Sequence, residues 1–283
     1  MGLQYAGWRM AQWMAERLPP MVGFRCAERL ADCQWSLSAA DRRAVQANLT
    51  MALGTPVAER SPVVREVFRN FARYLVEFLS VHRVASPSVD VEGYDHFDAA
   101  YRRRRGVIIL TAHFGNWEVG AVLIRRMGFP LSAVALPHAD ARTDRIFNDQ
   151  RHRCGIGIIP VGEQAIHQSL RCLRDGHLLG VLGDQPFAGH GLPATFCGRT
   201  VTLPGGPAML SLRSAAPLVP TFLVREGLWK FRLCFEPPMW PQPDDRSTSA
   251  MQRLTQQYAS ILERYLTRFP SQWLLFQPLA DPT

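Results

Sequence analysis

From residue 90 onward the chain alternates short apolar runs with stretches of helical periodicity, and this restricts the fold more than any other feature. Apolar runs at 106–112 (GVIILTA), 131–136 (LSAVAL), 156–160, 178–183 (LLGVLG), 217–224 (PLVPTFLV) and 229–236 predict strands. Helices are predicted over 117–127, 140–153, 164–175, 206–215 and 249–268. Continuous apolar strands separated by helices build a sheet covered on both faces. The expected class is α/β, a mostly parallel mixed sheet flanked by helices.

Residues 1–89 carry no such alternation and read as helical. "SPVVREVFRNFARYLVEFLSV" opens with Ser61 as N-cap and Pro62 at the first helical position. Phe68, Phe71, Tyr74, Leu75 and Phe78 then recur every three or four residues, as core packing or as a lipid-facing face. The first 24 residues, "MGLQYAGWRMAQWMAERLPPMVGF", are interrupted by Arg9, Glu16, Arg17 and Pro19-Pro20. A membrane span needs about 20 consecutive apolar residues, so none is expected here. Trp8, Met10, Trp13 and Met14 among those charges read as an amphipathic helix, lying in a membrane interface or packed on its own domain. The expected division is a helical, membrane-associating region at 1–89 and an α/β domain at 90–283.

The formal net charge is +8, and Lys230 is the one lysine, so 31 of the 32 cations are arginine. Arginine's planar fork suits phosphates and carboxylates. Nucleic-acid binding would need a basic helix or an aromatic platform of a known kind, and neither is present. The six cysteines show no CxxC or metal-finger spacing and read as reduced thiols.

The chemistry gathers in "GVIILTAHFGNWEVGA" (106–121). Val107–Leu110 reads as a buried strand, Gly115 as a turn and Asn116 as the N-cap of the next helix. His113 then lies past the carboxyl end of a strand, where ligands bind in open α/β sheets, and Glu118 lies in the first helical turn. Across that corner the carboxylate can fold back onto the imidazole and leave the other ring nitrogen free to take a proton. No G-x-S-x-G elbow, HExxH, Walker A loop or complete GxGxxG accompanies the pair. The simplest chemistry is direct: His113 deprotonates an acceptor alcohol, which attacks an activated acyl carbon. The alternative is a structural His and Glu.

The stretch "AHFGNWE" resembles the His-x4-Asp/Glu block of the glycerolipid acyltransferases and, more narrowly, of the late acyltransferases of lipid A biosynthesis, to which mycobacterial phosphatidylinositol-mannoside acyltransferases are related. Four more blocks resemble the family in order: "ALPHADARTDRIFNDQR" (135–151), "LLGVLGDQPF" (178–187), "FCGRTVTLPGGPAMLSLRSAAPLVP" (196–220) and "FPSQWLLFQP" (269–278). Two features depart from the lipid A enzymes: no good membrane-spanning helix, and no basic cluster after the closing block.

The resemblance implies an acyl thioester donor, on acyl carrier protein or coenzyme A, and no metal or redox cofactor. It implies a lipid acceptor: a lipid A-type glycolipid precursor, or alternatively a lysophospholipid, an aminolipid or a phosphatidylinositol mannoside. A non-catalytic lipid-binding descendant would be expected to have lost His113 or Glu118. The implied place is the cytoplasmic face of a bacterial inner membrane, peripheral or monotopic. His113 is then the general base and Glu118 its orienting partner. Arg151 binds an anionic group or is a surface arginine. Asp184 is a polar site residue or a turn residue of "GDQP". Asn116 and Trp117 hold the turn and stand with the substrate-binding residues. Gly205 and Gly206 offer backbone amides to the thioester oxygen or simply form a tight turn. "YRRRR" (101–105) draws the chain to an anionic leaflet or an acidic carrier protein, or is a solvated loop.

Overall fold

The computed structural model describes residues 2–84, 87–186, 191–242, 245 and 247–279. Phe187 of the 178–187 block and the terminal residues 280–283 lie outside them. Four helices come first: α1 (Gly2–Arg17), α2 (Pro20–Leu37), α3 (Ala39–Leu53) and α4 (Pro62–Ser80). Their breaks follow local chemistry. Pro19-Pro20 ends α1, because the residue before a proline is pushed out of the α region. The Ser38 hydroxyl accepts from the Asp41 N–H and caps α3. Gly54, at φ 64°, closes α3 in the left-handed region. Ser61 takes the N-cap position of α4 as expected, but its hydroxyl makes no capping bond.

The rest alternates as β1 (Ser88–Glu92), α5 (Tyr94–Tyr101), β2 (Val107–Thr111), α6 (Trp117–Arg126), β3 (Leu131–Ala135), α7 (Ala141–Arg153), β4 (Gly157–Pro160), α8 (Ala165–Arg174) and β5 (Leu178–Leu182). A hairpin of β6 (Leu192–Phe196) and β7 (Arg199–Leu203) precedes α9 (Gly206–Ser214), β8 (Leu218–Gly227), β9 (Lys230–Phe235) and α10 (Thr248–Arg268). Seven strands form one sheet in the order β1-β9-β8-β2-β5-β3-β4. Its pairs are parallel except for the β8–β9 hairpin. The expected α/β class with a mostly parallel sheet therefore holds. Strand β1, helix α5 and the β6–β7 hairpin had no counterpart among the predicted elements.

Period-two alternation divides β2 between two cores. Ile108 and Leu110 pack with Leu173 of α8, Leu210 of α9 and Leu262 of α10. Val107 and Ile109 pack with Phe97 of α5 and Val119 and Val122 of α6. Helix α4 lies against the α6 side and buries Phe68 and Tyr74 in a cluster with Leu274 from the closing segment. Helix α1 docks on the same domain: Trp8 meets Phe147 edge to face at 5.2 Å, and Ala15 is buried. Its other side leaves Met10 and Trp13 each 54% exposed. Among the described residues no helix is long and apolar enough to cross a membrane.

Candidate active site

Strands β2 and β5 are parallel neighbours with Thr111 opposite Leu182. Two residues past each end, His113 and Asp184 meet. Asp184 is wholly buried, and its Oδ1 lies 3.0 Å from His113 Nδ1. Its Oδ2 accepts the backbone N–H of His113 at 3.0 Å and the indole N–H of Trp273 at 3.1 Å. The segment carrying Trp273 clasps the histidine loop from outside. The N–H of Leu274 donates to the His113 carbonyl at 2.6 Å, and that of Gly115 to the Gln272 carbonyl at 2.8 Å. Gly115 is required at its position. Its φ is 59°, and a Cβ there would stand 1.8 Å from the Leu223 carbonyl oxygen.

The orienting partner of the imidazole is thus Asp184, where the sequence pointed to Glu118. No hydrogen bond joins His113 to Glu118 among the described residues. Glu118 is instead held by Arg151, whose Nε lies 3.1 and 3.2 Å from its two oxygens and whose Nη2 also donates to Oε1. Asn148 steadies that guanidinium through Oδ1 at 3.0 Å. Both partners are nearly buried, so Arg151 is an ion-pair partner inside the fold and not a free surface cation. The physical reason is register. Asp184 follows the strand beside β2 and reaches Nδ1 of the imidazole, whereas Glu118 on α6 pairs with Arg151 of α7.

Asn116 caps α6 as expected, its Oδ1 accepting from the Val119 N–H at 3.1 Å. It is wholly buried, and its amide donates to Glu77 Oε2 at 2.7 Å and to the Tyr74 carbonyl at 3.2 Å. It ties α6 to α4 and has no face left for a substrate. Glu77 in turn holds Arg225 of β8, a buried ion pair at the centre of that seam. Trp117 stacks on Tyr74 at 4.3 Å and meets the His113 ring edge to face at 5.1 Å.

A cavity of about 380 Å³ opens beside these rings, between α6 and the sheet. His113, Trp117, Glu118 and Arg151 line it together with His138 and Tyr74. Away from those polar groups its wall is aliphatic, with Ile109, Ile124, Leu131, Ala133, Gly180 and Leu182. Gly205 and Gly206 are not part of it. They begin α9, which packs on the opposite face of the sheet with α8 and α10. The "YRRRR" run lies at the amino end of β2, a strand length of about 16 Å from the carboxyl-end site. Within it Arg102 pairs with Asp98, and Arg103 stacks over Trp240.

The electrostatics favour a base. Burial opposes the imidazolium of His113, but the charge and hydrogen bond of Asp184, and the charge of Glu118 behind them, outweigh it and raise the pKa above 6.5. Asp184 shows the mirror image. Burial pushes its carboxyl up, while His113 and the Trp273 indole pull it below 3.8. Since the carboxylate only accepts, the proton sits on Nδ1, and Nε2 keeps its lone pair with no protein partner among the described residues. A strand-end imidazole braced by a buried carboxylate, on the wall of an apolar cavity, can take a proton from an alcohol whose co-substrate carries a long apolar group.

A family model described as bacterial lipid A biosynthesis acyltransferase matches residues 3–280. The chain belongs to that family of acyltransferases. Among its relatives, the phosphatidylinositol mannoside acyltransferase of Mycobacterium tuberculosis is 27% identical over 96% of this chain and 87% of its own length. The protein of the same name from Mycolicibacterium smegmatis is 25% identical over 96% and 88%. The lipid A biosynthesis palmitoleoyltransferase of Escherichia coli is 27% identical over 76% of this chain and 70% of its own length.

Two residues of the site carried no role in the sequence reading. Trp273 stands in the "PSQW" run of a block whose resemblance was noted without chemistry. Tyr74 belongs to an aromatic stripe whose spacing signals packing. The register of β2 against β5, which makes Asp184 the partner of His113, follows from no local pattern.

Proposed function

We propose that the chain transfers a fatty acyl group from a thioester, on acyl carrier protein or coenzyme A, to a sugar hydroxyl of a membrane glycolipid. The observation that carries this is the His113–Asp184 pair, with Nε2 unpartnered among the described residues and His113 lining an apolar cavity. The acyl chain enters the cavity and brings its carbonyl carbon to the mouth. His113 Nε2 takes the acceptor's hydroxyl proton as the oxygen attacks that carbon, and a tetrahedral oxyanion forms. Collapse of the oxyanion re-forms the carbonyl and breaks the carbon–sulfur bond, and the imidazolium returns its proton to the thiolate. Asp184 fixes the tautomer and stabilises the imidazolium, and Trp273 holds Asp184 in place. Glu118, anchored by Arg151, adds negative charge that favours the imidazolium through space. None of these steps uses a metal or redox group.

Two acceptors fit this chemistry. The relatives aligned over nearly the whole chain act, by name, on phosphatidylinositol mannoside, which favours a mannosylated inositol phospholipid. The family description favours a lipid A precursor. The exposed Met10 and Trp13 of α1 support a peripheral seat on a membrane, on the cytoplasmic side where acyl thioesters are made.

The test offers purified protein a labelled acyl thioester with each acceptor in turn, with His113→Ala as the blank. Label on the mannosylated lipid supports the first acceptor, and label on the lipid A precursor the second. Transfer by His113→Ala at the parent rate would sink the mechanism.

A further inference from the structure

The hydroxyl of Tyr74 is unexplained by packing. The residue is 4% exposed and lines the cavity. Its phenolic oxygen makes no hydrogen bond among the described residues, whereas the hydroxyls of Tyr258 and Tyr265, on the other side of the sheet, each have a partner. Buried tyrosines normally satisfy their hydroxyl, and one left open onto a cavity points to a ligand. The ring is rigidly placed: it stacks on Trp117 at 4.3 Å, and Trp117 meets His113 at 5.1 Å. The charges that act on it are Glu118 and Arg151, which also line the cavity.

We propose that Tyr74 is a catalytic residue whose hydroxyl donates a hydrogen bond to the thioester carbonyl oxygen as that oxygen becomes an oxyanion. This deepens the proposed acyl transfer and rests on it. The reaction needs such a donor, and Gly205 and Gly206, the amides the sequence offered, lie on the far face of the sheet. The Trp117 indole N–H on the same cavity is, like the Tyr74 hydroxyl, without a partner among the described residues, but three other donor groups at His113 are already engaged. Its own backbone N–H is held by Asp184, the Asn116 amide by Glu77 and Tyr74, and Arg151 by Glu118 and Asn148. Burial first, and then the charge of Glu118, keep the phenol protonated well above pH 10, so it is a donor at any working pH. No proton leaves the phenol. The bond it donates tightens as the π electrons of the carbonyl move onto oxygen, and it relaxes when the carbon–sulfur bond breaks.

Tyr74→Phe keeps the stack and removes only the donor. The assay uses full-length protein, palmitoyl-coenzyme A and the acceptor that the parent enzyme labels, and also follows slow hydrolysis of the thioester without acceptor. The expected result is a fall in kcat of about a hundredfold or more with KM within about twofold, the usual effect of losing one oxyanion donor. Acceptor-free hydrolysis should fall by the same factor, and the acidic limb set by His113 should stay in place. Unchanged kcat would overturn the proposal. So would a loss confined to the KM for acceptor with hydrolysis intact, which would make Tyr74 an acceptor contact. A coincident melting curve for parent and variant is the control for folding. If the parent itself transfers to no acceptor and hydrolyses no thioester, the acyl-transfer reading fails first, and the inference with it.

Discussion

Replacing Asp184 with asparagine changes one atom, and the structure dictates where that atom goes. Oδ2 accepts two N–H groups, from the His113 backbone and the Trp273 indole, so in the asparagine the oxygen must stay there. The new NH2 therefore takes the place of Oδ1, 3.0 Å from His113 Nδ1. An NH2 facing Nδ1 must donate to it. The imidazole proton then moves to Nε2, the nitrogen required as base, and the catalytic lone pair turns away from the acceptor. Inverting a catalytic histidine's tautomer in this way costs about 10⁴-fold in rate, or about 5.5 kcal/mol of barrier. The variant also loses the charge that raises the His113 pKa, so any residual activity should keep an acidic limb at lower pH than the parent's. The measurement is kcat against pH for parent and variant, with melting curves recorded beside it. A folded Asp184→Asn enzyme within tenfold of the parent would refute both the amide placement and the role of His113.

Other outcomes follow from the same structure. Glu77→Gln leaves the Arg225 guanidinium buried without its counter-charge, at a cost of about 3–5 kcal/mol. At roughly 2–4 °C per kcal/mol this lowers the melting temperature by about 6–20 °C, and a shift within error would contradict it. Gly180 lies opposite Ile109 and Ala133 on the cavity wall, and the nearest atoms to a Cβ there are those of Ala133 and Leu131 at 3.9 Å. Gly180→Leu should therefore fold, fill the cavity and shift donor preference to shorter acyl chains by about tenfold or more; an unchanged chain-length profile would remove the cavity from acyl binding. The double change Met10→Ser and Trp13→Ser should cut flotation with anionic vesicles by about tenfold or more, since burying a Met side chain alone contributes about 1.5–3 kcal/mol; equal flotation would move the membrane face elsewhere. For stability, the raised pKa of His113 contributes below 6.5 and is lost as pH rises through the folded value. The depressed pKa of Asp184 contributes above 3.8 and is lost as pH falls. Melting temperatures should show the pair's full contribution between those two values, and Asp184→Asn should flatten the profile there.

The strands and helices after residue 100 were legible because each apolar run is continuous and each helix has a clear period and boundary. Strand β1, with mostly exposed side chains on a sheet edge, and the β6–β7 hairpin, which stands outside the main sheet, lacked that contrast. His113, Trp117 and Glu118 were legible as a local cluster at a strand-to-helix corner. Their pairing was not, because it depends on which strand lies beside β2. A lone aspartate in "GDQP" looks like a turn residue until β5 is laid against β2. Arg151 looks like a helix-end cation until α7 is laid against α6. Gly205 and Gly206 looked like amides for the thioester because a small-residue turn before a helix is chemically inviting, and nothing local states which face of the sheet that helix covers. Spacing records what a segment does with itself, whereas the site is made from residues of five separate segments.

The clasp of residues 272–274 over the histidine loop has a consequence in time. Asp184 is made 71 residues after His113, and Trp273 another 89 residues later. A growing chain therefore carries its base long before anything can aim it. The carboxylate that faces the ring gains its indole donor only when the late segment has left the ribosome and closed on the loop. Unfinished chains, and chains clipped before that segment, hold the histidine and its carboxylate without the indole that steadies the pair. Proteolysis near residue 270 is expected to free Asp184 Oδ2 from the indole and to lower acyl transfer.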